Sequence, residues 1–238
     1  MNKIFFEKFN NKSIFCIFSE SNILRKELVV MCHGFRSSSV GPARTFVDFS
    51  KMLVAKGYSV LRFDQPNSGN SDGDYIDSSF NEWVDTIVYL TKNYLIQGYK
   101  IIFLGQSMGA TAATIAAHRL PGRINCLLLW VPDPKSTFDK DPNQIYEEGG
   151  QKYRGTFWQE AKDLNFFDCL KKYKGKIHLV YGQTDKYVDE DLRKQVVEQV
   201  KAQGGEVMIL PGQDHSGWDA EVTEQVFKTE LELINQIS

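Results

Sequence analysis

Five consecutive residues, Gly105-Gln106-Ser107-Met108-Gly109, carry the spacing in this chain best suited to chemistry. They directly follow the apolar run Ile101-Ile102-Phe103-Leu104. An alanine-rich helical stretch (Ala110, Ala112, Ala113, Ala116, Ala117) directly follows them. A serine hydroxyl is a poor nucleophile, but a sharp strand-to-helix turn lifts its oxygen clear of the sheet. The same turn aims a helix N-terminus at the negative charge that develops during acyl transfer. Such a turn needs small neighbours two residues to either side, and both positions are glycine. Ser107 is therefore the candidate nucleophile.

A nucleophilic serine requires a base, and the chain has four histidines. His118 falls on the helix after the turn, three turns from Ser107. His178 lies inside an apolar run and reads as a core or edge histidine. His33 follows the first core run and belongs to a second motif. His215, in Gly212-Gln213-Asp214-His215-Ser216-Gly217, lies just past the last apolar run, on a loop that can reach Ser107. It is the candidate base. An orienting carboxylate must then fix its tautomer and stabilise the imidazolium. Asp185, in Gly182-Gln183-Thr184-Asp185, gives the chain order Ser, Asp, His. Asp133, after Trp130-Val131-Pro132, is the rival at a neighbouring strand end. Asp189 reads as a helix N-cap and Asp214 as a loop acid.

The tetrahedral intermediate of acyl transfer carries an oxyanion that needs preorganised N–H donors. The backbone N–H of Met108, next after the nucleophile, is one candidate. The N–H of Phe35 in Cys32-His33-Gly34-Phe35 is the other, with His33 bracing that loop. Gln106, His33 and Trp158 are the residues expected around the substrate.

These groups must be held by strands and helices. Residues 3–9 and 12–18 flank the turn pair Asn10-Asn11 and predict a hairpin. Short, near-continuous apolar runs then follow at 28–32, 58–63, 100–104, 124–131, 177–181 and 206–210, as expected of strands buried on both faces of a parallel sheet. Helical periodicity marks residues 43–56 and 80–96, and further helices are predicted over 190–203 and 219–236. The alternation predicts an α/β fold with a doubly wound, mostly parallel sheet in one domain of 238 residues. Ligands of such sheets bind beyond the carboxyl ends of the strands, where the motifs fall. Residues 132–165 break the rhythm with three prolines and several acids and aromatics, among them Phe138, Asp139, Tyr153 and Trp158. They predict a short cap or lid.

Twenty-eight basic against thirty acidic residues leave a net charge of -2, which gives no electrostatic footprint for nucleic acid or an anionic membrane. No apolar stretch approaches the length of a membrane span, and the N-terminal residues lack the pattern of a secretory leader. The four cysteines (Cys16, Cys32, Cys126, Cys169) include no C-x-x-C pair and read as small buried hydrophobes in a reducing compartment. A cytoplasmic location is expected. There is no P-loop, dinucleotide glycine fingerprint or H-E-x-x-H, so no cofactor and no metal is expected.

The His33-Gly34-Phe35 loop, the G-x-S-x-G turn, the G-x-x-D turn and the late Asp214-His215 loop together resemble the α/β-hydrolase superfamily over nearly the whole chain. Phe63-Asp64 followed by Gly69, Ser71, Asp72 and Gly73 is similar to a segment of compact serine esterases. Those are the bacterial feruloyl/cinnamoyl esterases and the serine aminopeptidase-like, monoacylglycerol-lipase group. In this sequence Gln106 stands where that group often has histidine, and Asn67 to Asn70 lacks the usual G-H-G. The resemblance implies an α/β-hydrolase fold with Ser107, Asp185 and His215 as triad, Phe35 and Met108 as oxyanion hole, and 132–165 as a short cap. It implies hydrolysis of a carboxylic ester through an acyl-enzyme, and the aromatic insertion suggests a small or aromatic acyl or alcohol group. Thioester or amide hydrolysis by the same residues is the alternative reading, and a non-catalytic binding protein on the same fold is a further one. The expected partner is a small-molecule ester, with no nucleic acid or membrane.

Overall fold

The computed structural model describes residues 2–21, 23, 25–134 and 140–236, so Phe138 and Asp139 of the expected cap lie outside the described residues. The chain opens on strands β1 (Asn2–Phe9) and β2 (Lys12–Ser19). Asn10 and Asn11 both take positive φ, 47° and 62°, as a two-residue hairpin turn demands. Then come β3 (Glu27–Cys32), α1 (Thr45–Ala55), β4 (Ser59–Phe63), α2 (Phe80–Ile96), β5 (Lys100–Gln106), α3 (Met108–Arg119) and β6 (Ile124–Trp130). A short insertion adds β7 (Ile145–Glu148), β8 (Gln151–Arg154) and α4 (Thr156–Asp163). The chain closes with α5 (Phe166–Lys172), β9 (Lys176–Gly182), α6 (Glu190–Ala202), β10 (Glu206–Leu210) and α7 (Ala220–Asn235).

Among the described residues, eight strands form one sheet in the order β1-β2-β4-β3-β5-β6-β9-β10. The pairs β1–β2 and β2–β4 are antiparallel and the rest are parallel. The predicted fold class is therefore the observed one. Every residue of β3 and β4 is buried, which is why their sequences run apolar without alternation. Helices α1 and α7 pack together, with Phe49 and Phe227 stacked at 4.5 Å, while α2, α3, α5 and α6 pack in sequence on one another. The alanines of α3 let it lie close to the sheet, and a Cβ at Gly109 would collide with the carbonyl oxygens of Cys32 and His33. Asp189 caps α6 as expected, its carboxylate accepting from the N–H groups of Asp191 and Leu192.

The expected cap has more regular structure than its prolines suggest. Strands β7 and β8 form an antiparallel hairpin around Gly149 and Gly150, both at positive φ. Helix α4 is tied to the start of α2, where Glu160 accepts from the Ser79 hydroxyl (2.7 Å) and the Asn81 N–H (3.1 Å). The segment from Phe63 to Gly73 is a braced loop. Asp64, fully buried, accepts from the N–H groups of Ser39 (2.6 Å) and Asn70 (2.8 Å), and a side chain at Gly69 would strike it. Asp72 accepts from the N–H of Ser13 (2.7 Å), and these bonds to Ser13 hold its carboxyl below the usual range.

Candidate active site

Ser107 sits between the end of β5 and the first residue of α3 with φ 55° and ψ -126°, a conformation that non-glycine residues rarely adopt. The surroundings force it. Its N–H donates to the carbonyl of Trp130 on β6 (2.8 Å), and its own carbonyl accepts from Ala110 (2.9 Å). The flanking glycines are steric necessities, since a Cβ at Gly105 would meet the backbone of Ala110.

The carboxyl ends of two other strands bring the remaining groups to this serine. The loop after β10 places His215 Nε2 2.9 Å from Ser107 Oγ. The turn after β9 places Asp185 Oδ2 2.8 Å from His215 Nδ1. The other oxygen of Asp185 accepts from the N–H groups of Tyr187 (2.8 Å) and Val188 (3.1 Å), which fixes the carboxylate independently of the histidine. All three residues are buried, with Asp185 at 5% and His215 at 8% exposure. In the neutral tautomer whose Nδ1 donates to the carboxylate, Nε2 is the acceptor that faces the serine hydroxyl. Asp214 braces the loop from outside. Its carboxylate accepts from the His215 N–H, a bond that lowers its pKa, and its carbonyl accepts from Trp218 Nε1 (3.0 Å).

The structure thus brings Asp185, rather than the rival Asp133, to His215. Asp133 follows β6, where its carbonyl accepts from Thr111 Oγ1 (3.0 Å), and it is among the residues that line the cavity. Of the other histidines, His118 is exposed on α3. His178 is buried against Glu230 of α7 (3.0 Å), away from the serine.

A cavity of about 300 Å³ opens over Ser107, at the small end for ligand sites. Gln106 and Trp158, two of the three residues expected around the substrate, line it together with Met108, Phe35 and His215. Gly34 lies so close to the serine turn that a Cβ there would sit 3.0 Å from Ser107 Cβ and 2.9 Å from the Gln106 carbonyl. This close approach carries Phe35 to the cavity. Met108 begins α3, so its N–H has no carbonyl one turn earlier to bond. His33, expected near the substrate, does not reach the cavity. It is fully buried, with Nε2 accepting from the Gln65 N–H (2.8 Å) and Nδ1 donating to the Gly34 carbonyl (2.8 Å). Burial pushes its pKa down and keeps it neutral. It is a brace for the loop that carries Gly34 and Phe35.

Sequence reasoning missed Arg36, Glu148 and Tyr187, all of which line the cavity. The Tyr187 ring lies 5.1 Å from that of His215. Arg36, at φ 56°, donates its N–H to the Tyr75 hydroxyl (2.7 Å) and its guanidinium to Glu148 (2.8 Å) on the hairpin, 112 residues away. No local pattern signals that pair. The hairpin itself had a signal, the Gly149-Gly150 pair between short polar-aromatic segments. Phe35 is the hub between body and insertion, with ring centroids 5.0 Å from Tyr153, 5.0 Å from Phe157 and 4.8 Å from Trp158.

Among the described residues, no group of three His, Cys, Asp or Glu side chains is placed to hold a metal ion. No described helix is long and apolar enough to cross a membrane. The four cysteines are free and buried, and burial pushes the Cys16 thiol up to about 12.

Comparison with solved structures finds the same architecture across nearly the whole chain. Est1E from Butyrivibrio proteoclasticus, solved with ferulic acid bound, superposes with a TM-score of 0.85 at 20% identity, over 97% of this chain and 99% of that one. A monoacylglycerol lipase from Paleococcus ferrophilus gives 0.78 at 18% identity, over 94% and 99%. The thioesterase domain from the curacin biosynthetic pathway gives 0.66 at 16% identity, over 98% and 99%. At such identities the likeness is one of fold. No curated protein sequence matches the chain. The model of the alpha/beta hydrolase fold family matches residues 27–146, half of the chain and the part that carries the turn at Ser107, so this chain belongs to that family.

Proposed function

We propose that the protein is a serine hydrolase that cleaves a carboxylic ester of a small or aromatic acyl or alcohol group through an acyl-enzyme. The observation that carries this reading is the unbroken line of hydrogen bonds from Asp185 through His215 to Ser107, at 2.8 and 2.9 Å, ending at a cavity. In the first step His215 Nε2 takes the hydroxyl proton as Ser107 Oγ attacks the ester carbonyl. The N–H groups of Phe35 and Met108 receive the negative oxygen of the tetrahedral intermediate. Collapse expels the alcohol, protonated by His215. Water, deprotonated by the same nitrogen, then attacks the acyl-serine, and the acid leaves. Asp185 holds the imidazole in the tautomer both half-reactions need and stabilises its cation.

The walls argue for a compact substrate. About 300 Å³ bounded by Phe35, Trp158 and Tyr187 suits an aromatic or short group, and the Arg36–Glu148 pair is poor company for a long alkyl chain. Residues 132–165 serve as the cap over this site. Four free, buried thiols suit a reducing compartment, and we place the protein in the cytoplasm, acting on a free small molecule rather than at a membrane or nucleic acid.

The test is a panel of p-nitrophenyl acyl esters and methyl hydroxycinnamates, with thioester and anilide counterparts, assayed on wild type and Ser107→Ala. Wild-type turnover of the short or aromatic esters, absent in the variant, is the expected result. Turnover confined to long-chain lipid esters would overturn the substrate class. Failure of a fluorophosphonate probe to label Ser107 would overturn the mechanism and favour a binding protein on this fold.

A further inference from the structure

Among the described residues the edge strand β1 has one side without a strand neighbour. In the sheet order β1 is terminal, so among the described residues its outward N–H and C=O groups have no strand to meet. Ile4 and Phe6 are 64% and 56% exposed along it. Natural edges are often protected by being short or bulged, whereas this one, although it carries Lys3 and Lys8, is eight residues long and pairs with β2 without a bulge from Asn2 to Phe9.

Which residues face outward follows from the turn. The pair Phe9–Lys12 closes a two-residue loop and is therefore a hydrogen-bonded pair. Bonding alternates along the ladder, so Lys3, Phe5, Glu7 and Phe9 bond to β2. Asn2, Ile4, Phe6 and Lys8 point their backbone groups away from the sheet. We propose that two copies of this chain join along β1, antiparallel about a two-fold axis through Phe5, to form a continuous sixteen-stranded sheet.

That register satisfies every constraint at once. The outward groups of Ile4 meet those of the partner's Phe6, and those of Asn2 meet the partner's Lys8, as hydrogen-bonded pairs. The alternate positions set Lys3 against the partner's Glu7, twice, and Phe5 against the partner's Phe5. They are non-hydrogen-bonded pairs, the kind whose side chains approach most closely. The side chains sort correctly between faces as well. Glu7 lies on the side of α2, where it accepts from Tyr89 (3.1 Å) and Asn93 (3.3 Å), and Lys3 lies over the Phe5 ring on that same side. Ile4 and Phe6 lie on the opposite side, where Phe6 meets Phe15 at 5.6 Å. Shifting the axis to Ile4 or Phe6 keeps the backbone bonds but sets Lys3 or Glu7 against Phe5. A concavity of about 770 Å³ between β1 and α2, lined by Lys3, Phe5, Glu7, Phe18 and Tyr94 among others, leaves room beside the new strand pair.

Sedimentation equilibrium on the full chain tests this. The wild type dimerises with a dissociation constant in the micromolar range expected of a small interface. Lys3→Glu sets an acid against the partner's Glu7, and Glu7→Lys sets a base against the partner's Lys3. Each raises that constant about tenfold or more on its own. An equimolar mixture of the two variants restores association, because every cross-strand pair is then of opposite charge. Ile4→Lys, at an exposed site far from Ser107, abolishes the dimer and leaves ester hydrolysis unchanged. A monomer at about 1 mM chain would overturn the proposal. So would a dimer indifferent to Ile4→Lys, or a variant mixture that stays as dissociated as its components.

Discussion

Asp185 uses its two carboxylate oxygens for different tasks: Oδ2 lies 2.8 Å from His215 Nδ1, while Oδ1 closes the turn onto the N–H groups of Tyr187 and Val188. The two tasks separate experimentally. Asp185→Asn keeps an oxygen for the turn but can present an amide N–H to the histidine, favouring the wrong tautomer. We expect kcat to fall by about 10³- to 10⁴-fold with little change in Tm. Asp185→Ala also removes the turn acceptor and leaves buried N–H groups unpaired, at a further cost of about 1–3 kcal/mol. Steady-state kinetics and thermal unfolding on both variants check this. Equal Tm values for the two would show that the turn does not depend on the carboxylate.

Ser107 holds φ 55° and ψ -126° in an ordered strand-to-helix turn, and strain of that kind is worth about 1–3 kcal/mol. Glycine tolerates the region freely. Ser107→Gly is therefore expected to unfold several degrees above Ser107→Ala, by about 1 kcal/mol after its larger unfolded-state entropy is deducted. Both variants should be inactive. Differential scanning calorimetry decides, and a lower Tm for the glycine variant would mean that the turn is not strained.

His33 titrates below its ordinary value because burial disfavours its cation. The unfolded chain takes up a proton near pH 6.5 that the folded chain refuses, so the unfolded state binds more protons below that pH. The stability this residue contributes is whole above about pH 6.5 and is lost as the pH falls below it, at up to about 1.4 kcal/mol per pH unit. Subtracting the pH–stability curve of His33→Gln from that of the wild type should leave a difference that declines below pH 6.5 and is flat above it. A flat difference throughout would mean that the histidine takes up its proton as readily in the fold as in the unfolded chain.

The Arg36–Glu148 pair pins the β7–β8 hairpin to the loop bearing Phe35 at a partly exposed site. Its contribution to stability should be below about 1 kcal/mol. Its effect on selectivity should be larger, since releasing the hairpin widens one wall of a cavity of about 300 Å³. Glu148→Gln is expected to raise kcat/KM for bulky aromatic esters a few-fold relative to acetate, a change on the order of 1 kcal/mol. The ratio of kcat/KM across the ester panel reads this directly. An unchanged ratio would show that the wall is held by the Phe35, Tyr153 and Trp158 cluster alone.

Local chemistry made much of this protein readable from its residues. The turn at Ser107 is a contiguous strand–turn–helix, so Gly105, Ser107 and Gly109 reveal it without knowledge of any distant contact. The strands of the parallel sheet betray themselves because burial on both faces demands unbroken apolar runs, as in Leu28–Cys32. Asn10-Asn11 announces its hairpin because asparagine tolerates positive φ. Tertiary structure decided the rest. Asp133 and Asp185 both follow strands that end beside one another, β6 and β9, and only the paths of the loops beyond them determine which acid meets His215. His33 has the side chain of a catalytic or binding residue, but packing surrounds it with the backbone of Gly34 and Gln65. Arg36 and Glu148 meet across 112 residues because the insertion folds back over the strand ends. Contacts of that span depend on how separately formed elements dock, and no periodicity along the chain encodes them.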